Sequence, residues 1–394
     1  MATDFHFDFR DIFRAGRSGF KGKKMMMHFL GLMMGYVIYE ILTYLSLIGS
    51  GAVREFWDNY GLRPVFFIAG KLSIQLPLIT LIAMGIGIFI WCIIYYIFTT
   101  AVSKVAIEEL RGDEFYSMKE AIKFSAKNWK SIFVAMIALI GIFLFCIFWP
   151  ALVGILDLIP GVEQAAEHFG APLTTFLTIP VYFIGLFLIL LIVAFLVGLF
   201  LIPSIVAVTG EDTFETVYQL FSVIWNQPWR LLIYECILFI IKIVQSVIFA
   251  VVSFAGMYLA FLPSMLLAKQ DGVYYFANVI ARSLKIIGLD PDMVLAIIPN
   301  AKLGVNNMPW TLDVATFFLF CCLIMIAAII LSYPLSIMSS GYTIIYVVLR
   351  KRTTEENMLD IEEEDFDFEY SDEDSEDEEN AEEEDSSDSG TDEN

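Results

Sequence analysis

Residues 112–130, GDEFYSMKEAIKFSAKNWK, decide the fold, together with a weaker echo at 210–230, GEDTFETVYQLFSVIWNQPWR. Each stretch lies between two long apolar runs. Each opens on Gly with acids, carries an aromatic (Phe115, Phe214) and closes on Trp plus a base (Trp129-Lys130, Trp229-Arg230). The pattern predicts a duplicated unit of membrane helix, surface helix and membrane helix, over about 72–156 and 172–267. In the first stretch Phe115, Met118, Ile122, Ser125 and Trp129 recur at helical spacing, and Lys119, Lys123, Lys127 and Lys130 form a second stripe of the same period. A helix with an apolar face and a Lys face suits the headgroup layer, where acyl chains take one side and anionic phosphates the other. The alternative is an ordinary connecting helix whose Lys stems snorkel. In the second stretch Phe214, Val217, Tyr218, Phe221, Ile224 and Trp225 predict a broad apolar face, opposed by Glu215, Gln219 and Asn226.

Outward from these stretches, composition says that lipid is the main solvent. The chain has 394 residues, 58% of them hydrophobic, and a mean hydropathy of +0.71. Its net charge of −21 is uneven: residues 355–394 hold 23 of the 45 acids and no Lys or Arg. A near-neutral membrane body of about six spans therefore carries one acidic, low-complexity tail, expected to be disordered. The fold class is all-α polytopic, with a basic aromatic segment at 1–24, a transmembrane domain at 25–350 and the tail at 351–394.

The first span, about Met25 to Ile48, contains Gly31 and Gly35 in a G-x-x-x-G that permits close helix approach. The second is expected over Leu72–Val105, and the third over Ile132–Leu156 with an interruption at Trp149-Pro150. The fourth falls within Pro172–Val208, bounded by Pro180 and Pro203, and the fifth runs from Trp229 to about Phe254. Val273–Ile287 has a helical pattern outside the spans. A last apolar run, 312–349, would be about 57 Å long as one helix, and Pro334 is expected to break or kink it. Ser332, Ser336 and Ser340 share a face there and can satisfy freed backbone groups. The five cysteines lie in apolar runs without metal-ligand spacing and read as small buried hydrophobes.

Glu40, Glu235, Lys242 and Gln245 are the polar side chains set inside spans. Such groups are expensive in lipid and are expected to pair across helices or to line a path. Glu235 and Lys242 lie about 10 Å apart along one helix face, so the expectation is that either meets Glu40 or a water. In the tail, Met358, Leu359 and Ile361, then Phe366, Phe368 and Tyr370, alternate with acids in the manner of a docking motif. As a flexible chain the tail's residues span about 35 Å, within reach of the Lys stripe. A solvated, self-repelling tail is the plainer reading.

Lys and Arg distribution gives an orientation. One side has sixteen: six at 10–24, six at 104–130, Arg230, and Arg350-Lys351-Arg352. The other has seven. The positive-inside rule then places both termini and both surface helices in the cytoplasm. The chain carries no G-x-x-x-x-G-K-[ST], G-x-S-x-G, H-E-x-x-H or paired-Cys motif. No enzyme, cofactor or nucleic-acid partner is expected; the expected partners are membrane lipids, anionic ones among them, and a protein that binds the tail. The two functions weighed are a scaffold or accessory subunit and a component of a transporter or channel for a small solute or lipid.

The E-A-I-K-F at Glu120–Phe124, the G-x-D-x-F-E at Gly210–Glu215, the P-W-R at Pro228–Arg230 and the I-Y-x-x-L-R at Ile345–Arg350 carry a resemblance. The chain from about 100 to 350 resembles bacterial polytopic proteins of the glycerophosphodiester phosphodiesterase membrane-domain group. The catalytic domain of that group has no counterpart here, so its activity is not implied. The resemblance implies a multi-pass protein of the bacterial inner membrane.

Overall fold

A computed structural model describes residues 5–62, 76–156, 168, 171–267, 270–287, 290, 292, 309–355 and 357–360. Among these the regular structure is entirely helical. Two short helices, α1 (Phe9–Ile12) and α2 (Arg14–Gly19), lead into α3 (Gly22–Ile48). Then follow α4 (Val53–Tyr60), α5 (Leu78–Arg111), α6 (Met118–Lys127), α7 (Trp129–Leu156), α8 (Ala171–Phe176) and α9 (Thr178–Thr209). The order closes with α10 (Thr213–Asn226), α11 (Pro228–Leu267), α12 (Gln270–Ile287) and α13 (Trp310–Thr354). Six of them, α3, α5, α7, α9, α11 and α13, are long and apolar enough to cross a membrane.

Three helices form the centre. Residues 98–108 of α5, 201–209 of α9 and 336–349 of α13 are buried without a break. They meet at three fully buried hydroxyls: Ser204 Oγ lies 3.3 Å from Ser103 Oγ and 3.4 Å from Thr343 Oγ1. In a water-free interior these mutual contacts keep hydroxyls from being orphaned, so they hold helices in register. Each of the three helices ends on a left-handed residue, Gly112, Gly210 and Glu355, with φ of 111°, 69° and 59°. That geometry stops a helix and turns the chain sharply.

After the turns at Gly112 and Gly210, and before the first span, comes a shorter helix packed against a central helix: α6 on α5, α10 on α9 and also on α7, and α2 on α13. Side chains start all three segments. Asp8 and Asp11 form a capping box, as do Ser117 and Glu120, and Asp212 accepts from the Glu215 amide. Ser117→Ala removes the acceptor of the Lys119 amide, 3.2 Å away. The expected loss is about 1 kcal/mol of local helix stability, seen as faster hydrogen exchange in the first turn of α6 with the global unfolding midpoint unchanged.

Small residues bring the spans together. A Cβ on Gly31 would stand 2.9 Å from Phe98, one on Gly35 2.0 Å from Trp91, and one on Gly87 3.1 Å from Tyr39. The G-x-x-x-G face of α3 thus packs on α5, which is what admits the rings. Toward the far ends of α9 and α11 almost every side chain is exposed. Those surfaces are apolar, as a lipid-facing surface is.

Several expectations are corrected. Helix α7 runs through Trp149-Pro150, α9 contains Pro203 instead of ending there, and α13 is one helix of about 67 Å with Pro334 inside it, so of the break or kink expected there the break is not found. Where water cannot reach, breaking the helix would orphan more backbone groups than a proline does, so the helix persists. Ser332 turns to the carbonyl of Ile329 at 2.7 Å. Ser336 and Ser340 instead reach other helices, so only part of that serine face serves its own backbone. Helix α5 starts at Leu78, and residues 72–75 lie outside those described. The cysteines are not buried: Cys92, Cys236 and Cys322 are exposed and Cys146 and Cys321 half-buried. In lipid an apolar side chain has no preference for the core.

Candidate functional site

Lys119, Lys123 and Lys127 lie on α6, and Lys130 lies past its end in the first turn of α7. Ala121 and Ser125 of α6 are buried, with Met118, Ile122 and Phe124 half-buried beside them, and the helix packs on α5. Lys119, Lys123, Lys127 and Lys130 are all exposed. Phe115 does not join the apolar face: it precedes the helix and is 92% exposed. Trp129 belongs to the first turn of α7.

Helix α10 is rotated from its expected setting. Gln219, assigned to the polar face, is buried with Thr216, Leu220, Val223 and Ile224, while Phe214, Tyr218 and Trp225 face outward. Periodicity fixed the wrong face because the helix is apolar on nearly every side. Gln219 is held inside by donating to Glu215 Oε1 at 2.8 Å and accepting from the Tyr346 hydroxyl of α13.

Between α6 and the termini lies a compact set of charges. Lys24, fully buried, reaches Glu109 Oε2 at 2.7 Å, Ser18 Oγ at 2.5 Å and Ser340 Oγ at 3.3 Å. Lys21 shares the same carboxylate at 3.3 Å. The neighbouring Glu108 takes Lys104 at 2.9 Å and Arg111 at 2.8 Å. Lys104 also sits over the Phe124 ring of α6, 4.8 Å from its centroid, and Lys23 donates to the Tyr116 carbonyl. Two buried carboxylates thus face four cations, and hydroxyls, rings and carbonyls take up the remaining donors. His28, one turn along α3 from Lys24, bonds Ser339 of α13 at 2.9 Å.

The same region holds the first and last described segments, around Phe7 and Met358. Arg352 donates to the Phe7 carbonyl from Nε at 3.1 Å and from a terminal nitrogen at 3.0 Å. Arg111 grips the Met358 carbonyl in the same forked way, at 3.2 Å twice. Met358 is buried in the main core. Phe7 and Glu355, with φ of 53° and 59°, are the non-glycine residues of positive φ among those described. Both strained turns lie where these clamps hold the chain. Of the tail residues singled out, Met358 and Leu359 are therefore docked; Ile361, Phe366, Phe368 and Tyr370 lie outside the described residues.

Three of the four polar residues expected within spans line one seam. Glu235 accepts from the Tyr342 hydroxyl at 3.5 Å, and Gln245 accepts from the Tyr333 hydroxyl at 3.0 Å. Lys242 lies 3.8 Å from Met338 Sδ. All face α13. Glu40 is elsewhere, on α3 between Tyr36 and Tyr44, whose hydroxyls donate to the carbonyls of Leu62 and Gly61. The expected meeting of Glu40 with Glu235 or Lys242 is not found, because α11 packs on α13 while α3 packs chiefly on α5.

The charge set at Lys24, Lys104, Glu108, Glu109 and Arg111 escaped sequence reading. Lys104 and Glu108, four apart at the end of an apolar run, and Glu108 and Arg111, three apart, were its local signals. Lys24 and Glu109 are 85 positions apart and carry none. Comparisons with family models, with curated proteins and with solved structures return no match.

Proposed function

We propose that this protein is a non-enzymatic membrane scaffold or accessory subunit that gathers anionic lipid and a protein partner at one membrane face. The carrying observation is the exposure of Lys119, Lys123 and Lys127 on α6, whose opposite face is packed on α5, with Lys130 exposed beside them in the first turn of α7. A helix so fixed keeps its charges outward, at the level where a crossing helix emerges. In this reading the face is cytoplasmic, as the Lys and Arg distribution implies. The membrane is the bacterial inner membrane, as the resemblance to the phosphodiesterase membrane-domain group implies.

The chain is read as a duplicated unit of membrane helix, surface helix and membrane helix over about 72–156 and 172–267, a reading that the element orders α5–α6–α7 and α9–α10–α11 support. The tail is the partner-binding arm, and its acids compete with anionic lipid for the Lys stripe. The polar residues of α11 fit helix association better than a solute path, since each meets α13.

Replacing the four lysines together with Gln is expected to reduce retention of phosphatidylglycerol over phosphatidylcholine severalfold at physiological salt. The difference between the two proteins should shrink as salt rises. Removal of residues 361–394 is expected to raise anionic-lipid retention and to abolish co-purification of any stoichiometric protein partner. Unchanged lipid retention in the four-lysine variant would remove the basis of the proposal.

A further inference from the structure

The sequence pattern gave the second stretch a broad apolar face and marked residues 1–24 as a basic aromatic segment beside the membrane. The structure shows which of those aromatics are exposed. On α10 and the start of α11, Phe214, Tyr218, Trp225 and Trp229 follow one another at i, i+4, i+11 and i+15. All four are exposed, Trp225 at 74% and Trp229 at 76%. On α1–α2, Phe9, Phe13 and Phe20 recur at i, i+4 and i+11, again all exposed. At 100° per residue Phe214, Tyr218 and Trp225 stay within about 40° of one direction on α10, and Trp229 follows the Gln227 break at the start of α11. Behind each row the opposite face is buried: Ile12, Ala15, Gly16 and Gly19 in the first, Thr216, Leu220, Val223 and Ile224 in the second. Neither helix is free to roll its aromatics inward.

We propose that α1–α2 and α10 are interfacial anchors that seat these two aromatic rows at the headgroup–acyl boundary of the leaflet whose phosphates the α6 lysines meet. The inference rests on the lipid-facing reading of that end of the bundle, and it assigns a separate surface to a separate part of the lipid.

Continuity identifies the occupant as lipid. Trp229 opens a helix able to cross a membrane, and the exposed surface continues from it through Leu232, Ile233, Phe239 and Ile240 of the same helix. Phe20 meets Phe249 and Tyr333, at centroid distances of 6.2 and 5.5 Å, so its row likewise runs into the flanks of α11 and α13. The chemistry agrees. From Thr216 to Trp229 the sequence has no charged side chain, and Tyr and Trp bring an apolar body with one polar atom, which suits the boundary. Arg10, Arg17 and Lys21 flank the first row, exposed, where headgroup phosphates would lie. A water-facing helix with four large exposed aromatics in one row would instead be a patch for a protein partner.

The collar is therefore asymmetric. Two of the three short helices hold depth through rings, and the third reads charge. Lipid contacts at the aromatic rows should be insensitive to headgroup charge and salt, and those at α6 sensitive to both.

The test uses the full-length protein in vesicles of phosphatidylcholine or of phosphatidylcholine brominated high on the acyl chain. The difference between wild type and Trp225→Phe/Trp229→Phe isolates the emission of that pair from the other five tryptophans. More than half of this difference signal is expected to vanish in the brominated lipid, with little loss to aqueous iodide. Phe13→Trp supplies a second probe and is expected to add emission that brominated lipid quenches in the same way. Quenching by iodide without quenching by lipid would overturn the proposal and make α10 a surface for a soluble partner. Quenching by neither would overturn it in favour of a contact with another protein chain. Retention of phosphatidylglycerol, measured on the same protein, belongs to the α6 lysines. Its persistence alongside a failed quenching result would reject the anchors alone.

Discussion

Glu109→Ala is expected to destabilise the protein by about 3–5 kcal/mol, because it strands a fully buried ammonium. Lys24 has no exposed surface, and Glu109 lies 2.7 Å from it. Without that carboxylate, the two hydroxyls of Ser18 and Ser340 offer dipoles but no charge. Lys21, which shares Glu109, is far less affected, since its side chain is 42% exposed and can turn to water. The measurement is thermal or denaturant unfolding in mild detergent, with gel filtration to detect collapse of the fold. The control separates a charge effect from a packing effect. Replacing both partners with apolar residues of similar length, Lys24→Met with Glu109→Leu, is expected to recover most of the loss. Removing a buried pair together avoids the stranded charge. If the double variant were no more stable than Glu109→Ala, the pair would matter through shape and not through charge.

Gly19→Val is expected to detach the N-terminal helices from the bundle. A Cβ at Gly19 would stand 2.7 Å from the Cα and the backbone nitrogen of Ile337. Backbone in the middle of a buried helix cannot yield as a side chain can, so α2 must move as a unit. That motion would break the Ser336 hydrogen bond to the Gly19 carbonyl, 2.8 Å, and withdraw Ile12 and Ala15 from the core. Overpacking alone costs roughly 1–3 kcal/mol, and these losses add to it. The readout is limited trypsin cleavage at Arg14 and Arg17, which is expected to become at least tenfold faster, while the other spans keep their helicity. Gly16→Ala is the comparison. Its Cβ would meet the amide end of Gln245, a flexible side chain that can swing aside. A milder effect is expected there; equal effects at the two positions would mean that the approach of α2 to α13 is not limited by backbone.

Much of this architecture is written locally. The six crossing helices are legible because a run of apolar residues long enough to span lipid has few other stable states. The starts of α6 and α10 follow from Ser117 with Glu120 and from Asp212 with Glu215, and the stops of α5 and α9 from Gly112 and Gly210. The close approach at Gly31 and Gly35 was also readable, since a missing Cβ is a local property. The Lys stripe of α6 was readable because charge marks one side of a helix unambiguously.

What the tertiary structure alone decided is which apolar side faces protein. In water, hydrophobicity sorts inside from outside; in lipid both sides of a span are apolar, and the pattern loses its meaning. That is why α10 was set with Gln219 outward, and why the cysteines were placed inside. It is also why α13, the last span, could not be recognised as the helix on which α2, α3, α9 and α11 converge. Lys24 meets Glu109, and Arg111 meets Met358, across separations that carry no periodic signal. The sequence by itself determined the spans, their caps and the charged face of α6. Only packing determined the buried charges and the outward aromatic rows, because contacts between distant segments, and not local polarity, choose the buried face of a helix in an apolar solvent.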